Sequence, residues 1–429
     1  MRRDGLWQNA SAMSEPASTV NPPPTPSPSD GWLNRTVLGT GLTSLASDWS
    51  HEMATAILPG LLVTLGAGPG WLGAIEGAAD GLSSFTKLAA GHWTDKLHRR
   101  KPLVVSAYAL TALATGAMAF ATSAMQIMAA RCTAWLGRGI RTPGRKALLA
   151  AAVPPSAYGR AFGFERMMDT FGAIVAPVTA LWLLGATGHN YQRVFLWTLV
   201  PGMAAALLFA LLVRERAHQQ AASSESFAEN LRALPGPFRR FLVAVGIFGL
   251  GDFSHTLLIL YAGQMLTPSM GFAAASSVAI GLYLLHNVFY AAFAYLAGWL
   301  SDHVRQRRLV LAIGYGLAVV MAALLASGGS HLSILVAIFA LAGIVVGVEE
   351  ALEDSIAAEL VPQAQHGMAF GTLAAVNALG DFGSSLLIGL LWSAVSPAAG
   401  FGAAGVLFLS GLALLLITGS RTTHAPSTL

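Results

Sequence analysis

Between residues 36 and 418 the chain is a succession of apolar runs separated by short polar connections. A helix needs roughly 20 mostly apolar residues to cross the hydrocarbon core of a bilayer. The runs predict spans at 36–64, 70–92, 102–122, 125–152, 159–186, 192–213, 241–266, 272–298, 308–326, 331–358, 367–393 and 398–418. Val104–Ala121 and Val194–Val213 contain no charged residue at all. Strands of a lipid-spanning barrel would alternate polar and apolar positions over about ten residues. These runs are longer, continuous and rich in Leu, Ala and Val, so the predicted fold class is an all-α membrane protein with 12 transmembrane helices.

Composition agrees with that pattern. Hydrophobic residues make up 54% of the 429 and charged residues 11%, against about a quarter charged in a soluble domain. Mean hydropathy is +0.59. The single cysteine, Cys132, excludes an internal disulfide and a Cys-ligated metal cluster. The net charge of +4 does not point to nucleic acid, because the basic residues lie in connections facing one way.

Those connections orient the chain. One set carries Lys96, Arg99, Arg100 and Lys101, then Arg214, Arg216, Arg232, Arg239 and Arg240, then Arg305, Arg307 and Arg308. The alternate connections, near 66–70, 123–125, 266–271 and 394–399, carry no Lys or Arg. By the positive-inside rule both termini are expected in the cytoplasm of a cell whose inner membrane holds the protein. Residues 1–35, which include PPPTPSPSD, read as a disordered cytoplasmic tail, and 419–429 as a second tail. The first thirty residues lack the apolar core of a signal peptide, so the first helix is expected to direct insertion.

The chain also repeats itself. GHWTDKLHRRK (91–101) answers GWLSDHVRQRR (298–308), and AAVPPSAYGRAFGF (151–164) answers ELVPQAQHGMAFGT (359–372). SDWSHE (47–52) answers GDFSHT (251–256). Three matches in the same order predict two pseudo-symmetric six-helix halves, 36–213 and 241–418, joined by a linker at 214–240.

Gly91-x-x-x-Asp95-Lys96-x-x-Arg99-Arg100 resembles the Gly-x-x-x-Asp-Arg-x-Gly-Arg-Arg loop of the major facilitator superfamily, with His98 in place of glycine. Gly172-Ala-Ile-Val-Ala-Pro177-Val-Thr-Ala is similar to the superfamily's antiporter pattern Gly-x-x-x-Gly-Pro-x-x-Gly-Gly, with alanines for glycines. There, small residues let helices pack closely. The resemblance covers nearly everything after residue 35. It implies alternating access, with the two halves rocking about a site lined by the first, fourth, seventh and tenth helices. It also implies that Gly91, Asp95, Lys96, Arg99 and Arg100, with Gly298 and Asp302 of the repeat, form a cytoplasmic gate.

Ionisable residues inside the membrane are costly, about 3 kcal/mol each on insertion scales, so they face a cavity or one another. They concentrate in those same four spans: Asp48, His51 and Glu52 in the first; Arg138, Arg141, Arg145 and Lys146 in the fourth; Asp252 and His255 in the seventh; Glu349, Glu350, Glu353 and Asp354 in the tenth. Asp48, His51 and Glu52 are spaced by three and four residues and are expected on one helix face. The repeat sets Arg141 opposite Glu349, Arg145 opposite Glu353 and Lys146 opposite Asp354. One reading is an ion-pair lattice between the halves. The other is a site for substrate and protons made of Asp48, His51, Glu52, Arg138, Arg141, Arg145, Asp252, His255, Glu349 and Glu353. Of the remaining groups, Glu165 and Asp169 are expected to pair with the fourth-span arginines, Glu76 and Asp80 to gate, and His286 to pack.

The function expected is secondary active transport by alternating access, with a small charged or polar solute exported in exchange for protons by a monomer needing no cofactor. The alternative is export of a divalent transition metal held by Asp48, His51, Asp252 and His255, because imidazoles and carboxylates are suitable ligands. Ferroportin-like iron exporters of the same superfamily are similar in placing an Asp and a His on the first helix. No nucleophile elbow, phosphate loop or zinc-protease motif points to an enzyme.

Overall fold

The computed structural model describes residues 31–67, 69–215, 226–329 and 331–419. Residues 1–30 of the expected first tail, 216–225 of the linker (with Arg216) and 420–429 of the last tail lie outside the described residues.

Fifteen α-helices form among the described residues: α1 (Arg35–Thr64), α2 (Pro69–Lys96), α3 (Lys101–Ala117), α4 (Ala124–Ala151), α5 (Tyr158–Ala186), α6 (Tyr191–Trp197), α7 (Leu199–Leu212), α8 (Phe227–Ala233), α9 (Gly236–Gly249), α10 (His255–Met270), α11 (Phe272–Val304), α12 (Arg307–Ala326), α13 (Leu332–Leu360), α14 (His366–Ala394) and α15 (Pro397–Gly419). By length and composition eight helical segments of the described chain qualify as membrane spans. α1, α2 and α4 are as long, but carry more charged and polar residues.

Local chemistry sets several boundaries. Asn34 Oδ1 accepts from the backbone N–H of Thr36 (2.9 Å) and Val37 (3.1 Å), which starts α1. α3 opens on Lys101-Pro102, where proline lacks only a donor that would be unpaired anyway. The Glu215 carboxylate accepts from the N–H of Arg100 (2.5 Å) and Lys101 (3.2 Å), placing negative charge at that helix start. In the expected linker, Ser226 and Glu229 form a reciprocal capping box that begins α8. The Ser226 N–H holds the Glu229 carboxyl below its usual range. α9 already begins at Gly236, inside the stretch expected to be linker.

The sixth expected span is interrupted only at Thr198, where α6 meets α7. The seventh departs further from expectation. It is not one helix over 241–266 but two, α9 and α10, with irregular backbone at 250–254. Gly249 ends α9 and Gly251 lies within the break, where tight turns run from Gly251 N–H to Phe248 O (2.8 Å) and from Asp252 N–H to Gly249 O (3.0 Å). α14 satisfies the exposed backbone. Ser384 Oγ donates to Asp252 O (2.5 Å), and Ser385 Oγ accepts from Ser254 N–H (3.1 Å). Irregular backbone at membrane depth survives where protein or a water-filled cavity surrounds it.

The helices pack with pseudo-symmetry. α1 lies along α5 and α7 and α2 along α4; in the second half α11 lies along α13 and α12 along α15. Across the halves, α5 crosses α11 and α2 crosses α14. A β-carbon added at Gly367 would lie 2.6 Å from Gly91 O, and one at Gly371 would lie 2.7 Å from Lys87 O. In the related crossing, Gly159 meets Gly298 and Gly163 meets the Ala294 carbonyl just as closely. All of these contacts lie toward one face, the one carrying the basic α2–α3 and α11–α12 connections. There a continuous apolar core joins the halves, with Phe162 packed 5.6 Å from Phe370 between ring centroids. Toward the other face Val178 and Leu181 of α5 and Ile280 and Leu284 of α11 are exposed, so the halves part there.

Candidate functional site

Between the halves lies a cavity of about 810 Å³. α1 gives it Asp48, Glu52 and Thr55, α4 gives Arg138, and α5 gives Arg166, Asp169 and Pro177. The second half adds Asp252, Ser254 and His255 at the α9–α10 break, a stripe on α11, Glu350 on α13, and Asp381 and Ser385 on α14. The four spans expected around the site do converge, joined by the fifth, eighth and eleventh.

Arg138 reaches Asp48 at 3.2 Å on the cavity wall. Arg166 pairs with Asp169 on its own helix (3.0 Å) and with Glu350 of the opposite half (2.6 Å), and Tyr290 also donates to Glu350. His255 Nε2 lies 3.2 Å from the Tyr283 hydroxyl, and the two rings stack at 5.0 Å.

Of the ten residues expected to handle substrate and protons, Asp48, Glu52, Arg138, Asp252 and His255 line this cavity. The other five do not. His51 is buried against the Trp135 ring, 4.2 Å away, and touches Glu52 at 3.5 Å. Residues three and four positions after Asp48 fall on opposite flanks of it, about 100° apart, so the expected single face is divided. Arg141 stacks on Tyr108 of α3 at 4.1 Å. Arg145 pairs with Glu165 at 2.5 Å, and Ser44 donates to the same carboxylate oxygen. Glu353 accepts from Tyr315 (2.7 Å) and Asn377 (2.9 Å), while Glu349 Oε2 is buried without a hydrogen-bond partner among the described residues.

The expected lattice of pairs between α4 and α13 is therefore reduced to one. Lys146 meets Asp354 at 2.6 Å, but Arg145 and Glu353 turn to partners within their own halves. Glu165 pairs with an α4 arginine as expected, whereas Asp169 pairs with Arg166 of its own helix. Glu76 binds Arg131 at 2.9 Å and Asp80 accepts from Trp135 Nε1 at 2.6 Å, so both carboxylates tie α2 to α4.

On the basic-loop face the two halves latch twice. Asp95 accepts from the N–H of Gly367 (2.8 Å) and Met368 (2.7 Å), the start of α14, and pairs with Arg100 at 2.9 Å. Asp302 accepts from the N–H of Gly159 (3.0 Å) and Arg160 (2.9 Å), the start of α5, and pairs with Arg160 (3.1 Å) and Arg307 (2.8 Å). Each aspartate ends a helix of one half and caps a helix of the other, where a negative charge is worth about 0.3–1 kcal/mol. Gly91 and Gly298 supply the close approach beside them. Arg99 is exposed and Lys96 half-buried. Gly172 packs against Leu45 and Trp49 of α1, with an added β-carbon 2.8 Å from Trp49 N.

Sequence reasoning missed Arg160, Arg166 and the α11 stripe. Tyr283, His286, Asn287 and Tyr290 recur at helical spacing within an apolar helix, a signal present in the sequence. Read alone, His286 looks like packing; it lines the cavity. Among the described residues, no group of three or more His, Cys, Asp or Glu could hold a metal ion.

The sequence profile of the Major Facilitator Superfamily matches residues 40–285 and 251–428. An uncharacterized MFS-type transporter of Methanocaldococcus jannaschii is 30% identical over 389 residues, 90% of this chain and 96% of that protein. The fold is shared with the human organic anion transporter MFSD10 (TM-score 0.72, 18% identity, 89% of this chain and 99% of that one). It is shared also with the transporter FucP in its outward conformation (TM-score 0.73, 15% identity, 90% and 99%). With both halves covered by the profile and a relative matched over nearly its full length, the chain belongs to the Major Facilitator Superfamily and is a multi-pass membrane transporter, not an enzyme.

Proposed function

We propose that the protein exports a small charged or polar solute in exchange for protons, as a monomer in the cytoplasmic membrane with both termini in the cytoplasm. The observation that carries this reading is the Asp48–Arg138 pair, 3.2 Å apart on the wall of the central cavity. A carboxylate that loses its cationic partner takes up a proton more readily. A solute that disturbs the pair therefore competes with a proton for the same charges, and such competition couples the two movements.

The positive-inside rule assigns the basic-loop face to the cytoplasm. On that assignment the latches at Asp95 and Asp302 close the cytoplasmic side, and the cavity faces outward. Release of both carboxylates from α14 and α5 would open the inward route.

The metal alternative draws less support. His51 is turned toward Trp135, away from the cavity that holds His255, so the four expected ligands are not assembled together.

The test is transport in proteoliposomes under an imposed pH gradient, comparing the wild type with Asp48→Asn. Loss of gradient-driven transport is expected, and undiminished coupling in the variant overturns the proposal. Calorimetric titration with divalent metals, using His51→Ala and His255→Ala as controls, decides the alternative. Micromolar binding lost in both variants would install it.

A further inference from the structure

We infer that the solute is an aromatic organic cation, seated between the carboxylates of Asp252 and Asp381 and the ring ladder of α11. This rests on the cavity being the transport site, as proposed above. Both cavity arginines are already neutralised: Arg138 by Asp48 at 3.2 Å, and Arg166 by Asp169 at 3.0 Å and Glu350 at 2.6 Å. Among the described residues, each of these arginines thus already has a carboxylate partner.

The opposite wall is acidic, with no ion pair to either aspartate among the described residues. The Asp252 and Asp381 carboxylates line the cavity and make no hydrogen bond or ion pair with their side-chain oxygens among the described residues. Ser384 holds the backbone carbonyl of Asp252 and Ser385 the N–H of Ser254, so the position of this turn is built rather than incidental. The surrounding charges do not relieve it. Asp381, Glu350 and Glu353 act on Asp252, and Asp252 acts on Glu349 and Tyr315. Glu350 and Asp80 oppose the charge of Asp381, and Lys87 of α2 attracts it. Charges in such surroundings need a counter-charge, either a proton or a bound cation.

The second observation is independent of charge. His255 stacks on Tyr283 at 5.0 Å and 17°, Tyr283 lies 5.6 Å and 18° from His286, and Tyr290 meets His286 edge-on at 6.2 Å. Aromatic faces attract cations and offer a stacking surface to another ring. A cavity of about 810 Å³ lies within the size range of drug-like ligand sites. A cation bound there supplies the counter-charge that the two carboxylates otherwise lack.

The experiment is equilibrium binding to the purified full-length protein with three ring-bearing probes: tetraphenylphosphonium, the neutral triphenylphosphine oxide and the isosteric anion tetraphenylborate. Tetraphenylphosphonium is expected to bind at least about tenfold tighter than either, a difference of about 1.4 kcal/mol, and to weaken as pH falls. The ring-free cation tetraethylammonium should bind more weakly by a similar factor. Asp252→Asn and Asp381→Asn should each lose the preference for the cation, and Asp252→Glu should keep it. Tighter binding of the anion, or no charge preference in the wild type, overturns the inference whether or not the variants fold. If tetraphenylphosphonium binds as expected but no pH gradient drives its movement, proton coupling fails and the cation site stands. If a pH gradient drives transport of another solute and the phosphonium does not bind, the reverse holds.

Discussion

The carboxylate of Asp95, in the last turn of α2, accepts a 2.8 Å hydrogen bond from the backbone N–H of Gly367, the second residue of α14 in the other half. Asp302 makes the same bond to Gly159 at the start of α5, at 3.0 Å. The duplication visible in the sequence thus recurs as two carboxylate-to-helix latches on one face. They are not equivalent, because Asp302 holds two arginines and Asp95 one.

That inequality predicts an order. Asp302→Asn should shift the balance toward the state open on the basic-loop face more than Asp95→Asn does. A lost charge-assisted hydrogen bond is worth about 1.5–3 kcal/mol, or roughly ten- to a hundredfold in population. Distances between spin labels placed across that face would report the shift; equal or absent shifts in the two variants contradict the order.

The glycine crossings should be intolerant of a single methyl group. An added β-carbon at Gly367 would sit 2.6 Å from Gly91 O and 2.7 Å from Asp95 Oδ1, and backbone atoms cannot step aside. Gly367→Ala is expected to hold the basic-loop face open and reduce transport severely. Gly77→Ala, whose added β-carbon meets nothing within 4 Å among the described residues, should be silent. Cysteine accessibility on that face and transport rate in the two variants check this.

Lys146 and Asp354 lie in different halves, 2.6 Å apart and largely buried. Removing one partner strands a buried charge at a cost of about 3–5 kcal/mol, whereas an apolar pair of similar volume is often tolerated. Lys146→Met should therefore lower the thermal unfolding midpoint markedly, and Lys146→Met with Asp354→Leu should recover most of the loss. No recovery in the double variant would show that the pair itself is not the determinant.

Asp48 and Arg138 should behave as a unit. Asp48→Asn and Arg138→Gln each leave a charge without its partner, and the double variant should cost less than the two single losses added together. Coupling of about 0.5–3 kcal/mol is the range for groups in contact. Solute affinity in a double-mutant cycle measures it; strict additivity would mean the 3.2 Å approach carries no coupling.

Most of the helix boundaries were legible in the sequence. A chain in lipid must satisfy its backbone hydrogen bonds within each segment, so a long apolar run between polar connections leaves little choice of structure. The failure at 250–254 has a specific cause. Hydropathy does not register the α14 serines that bond the backbone there, Ser384 to Asp252 O and Ser385 to Ser254 N–H. Among the residues lining the cavity, Asp48 and Arg138 were legible because both charges sit in spans that lipid would otherwise reject. Arg166 and Glu350 were harder to place, since nothing local says that one will cross to the other.

The sequence by itself determined the all-helical membrane fold, the repeat of its halves and the spans that carry buried charge, because each follows from local composition and spacing. Only the tertiary structure decided which charges meet. Arg138, Arg141 and Arg145 share one stripe in sequence, yet they end at Asp48, Tyr108 and Glu165 on three different helices. Long side chains choose among whatever neighbours packing presents, and Asp95 finds Gly367 across 272 positions only after two folded halves dock.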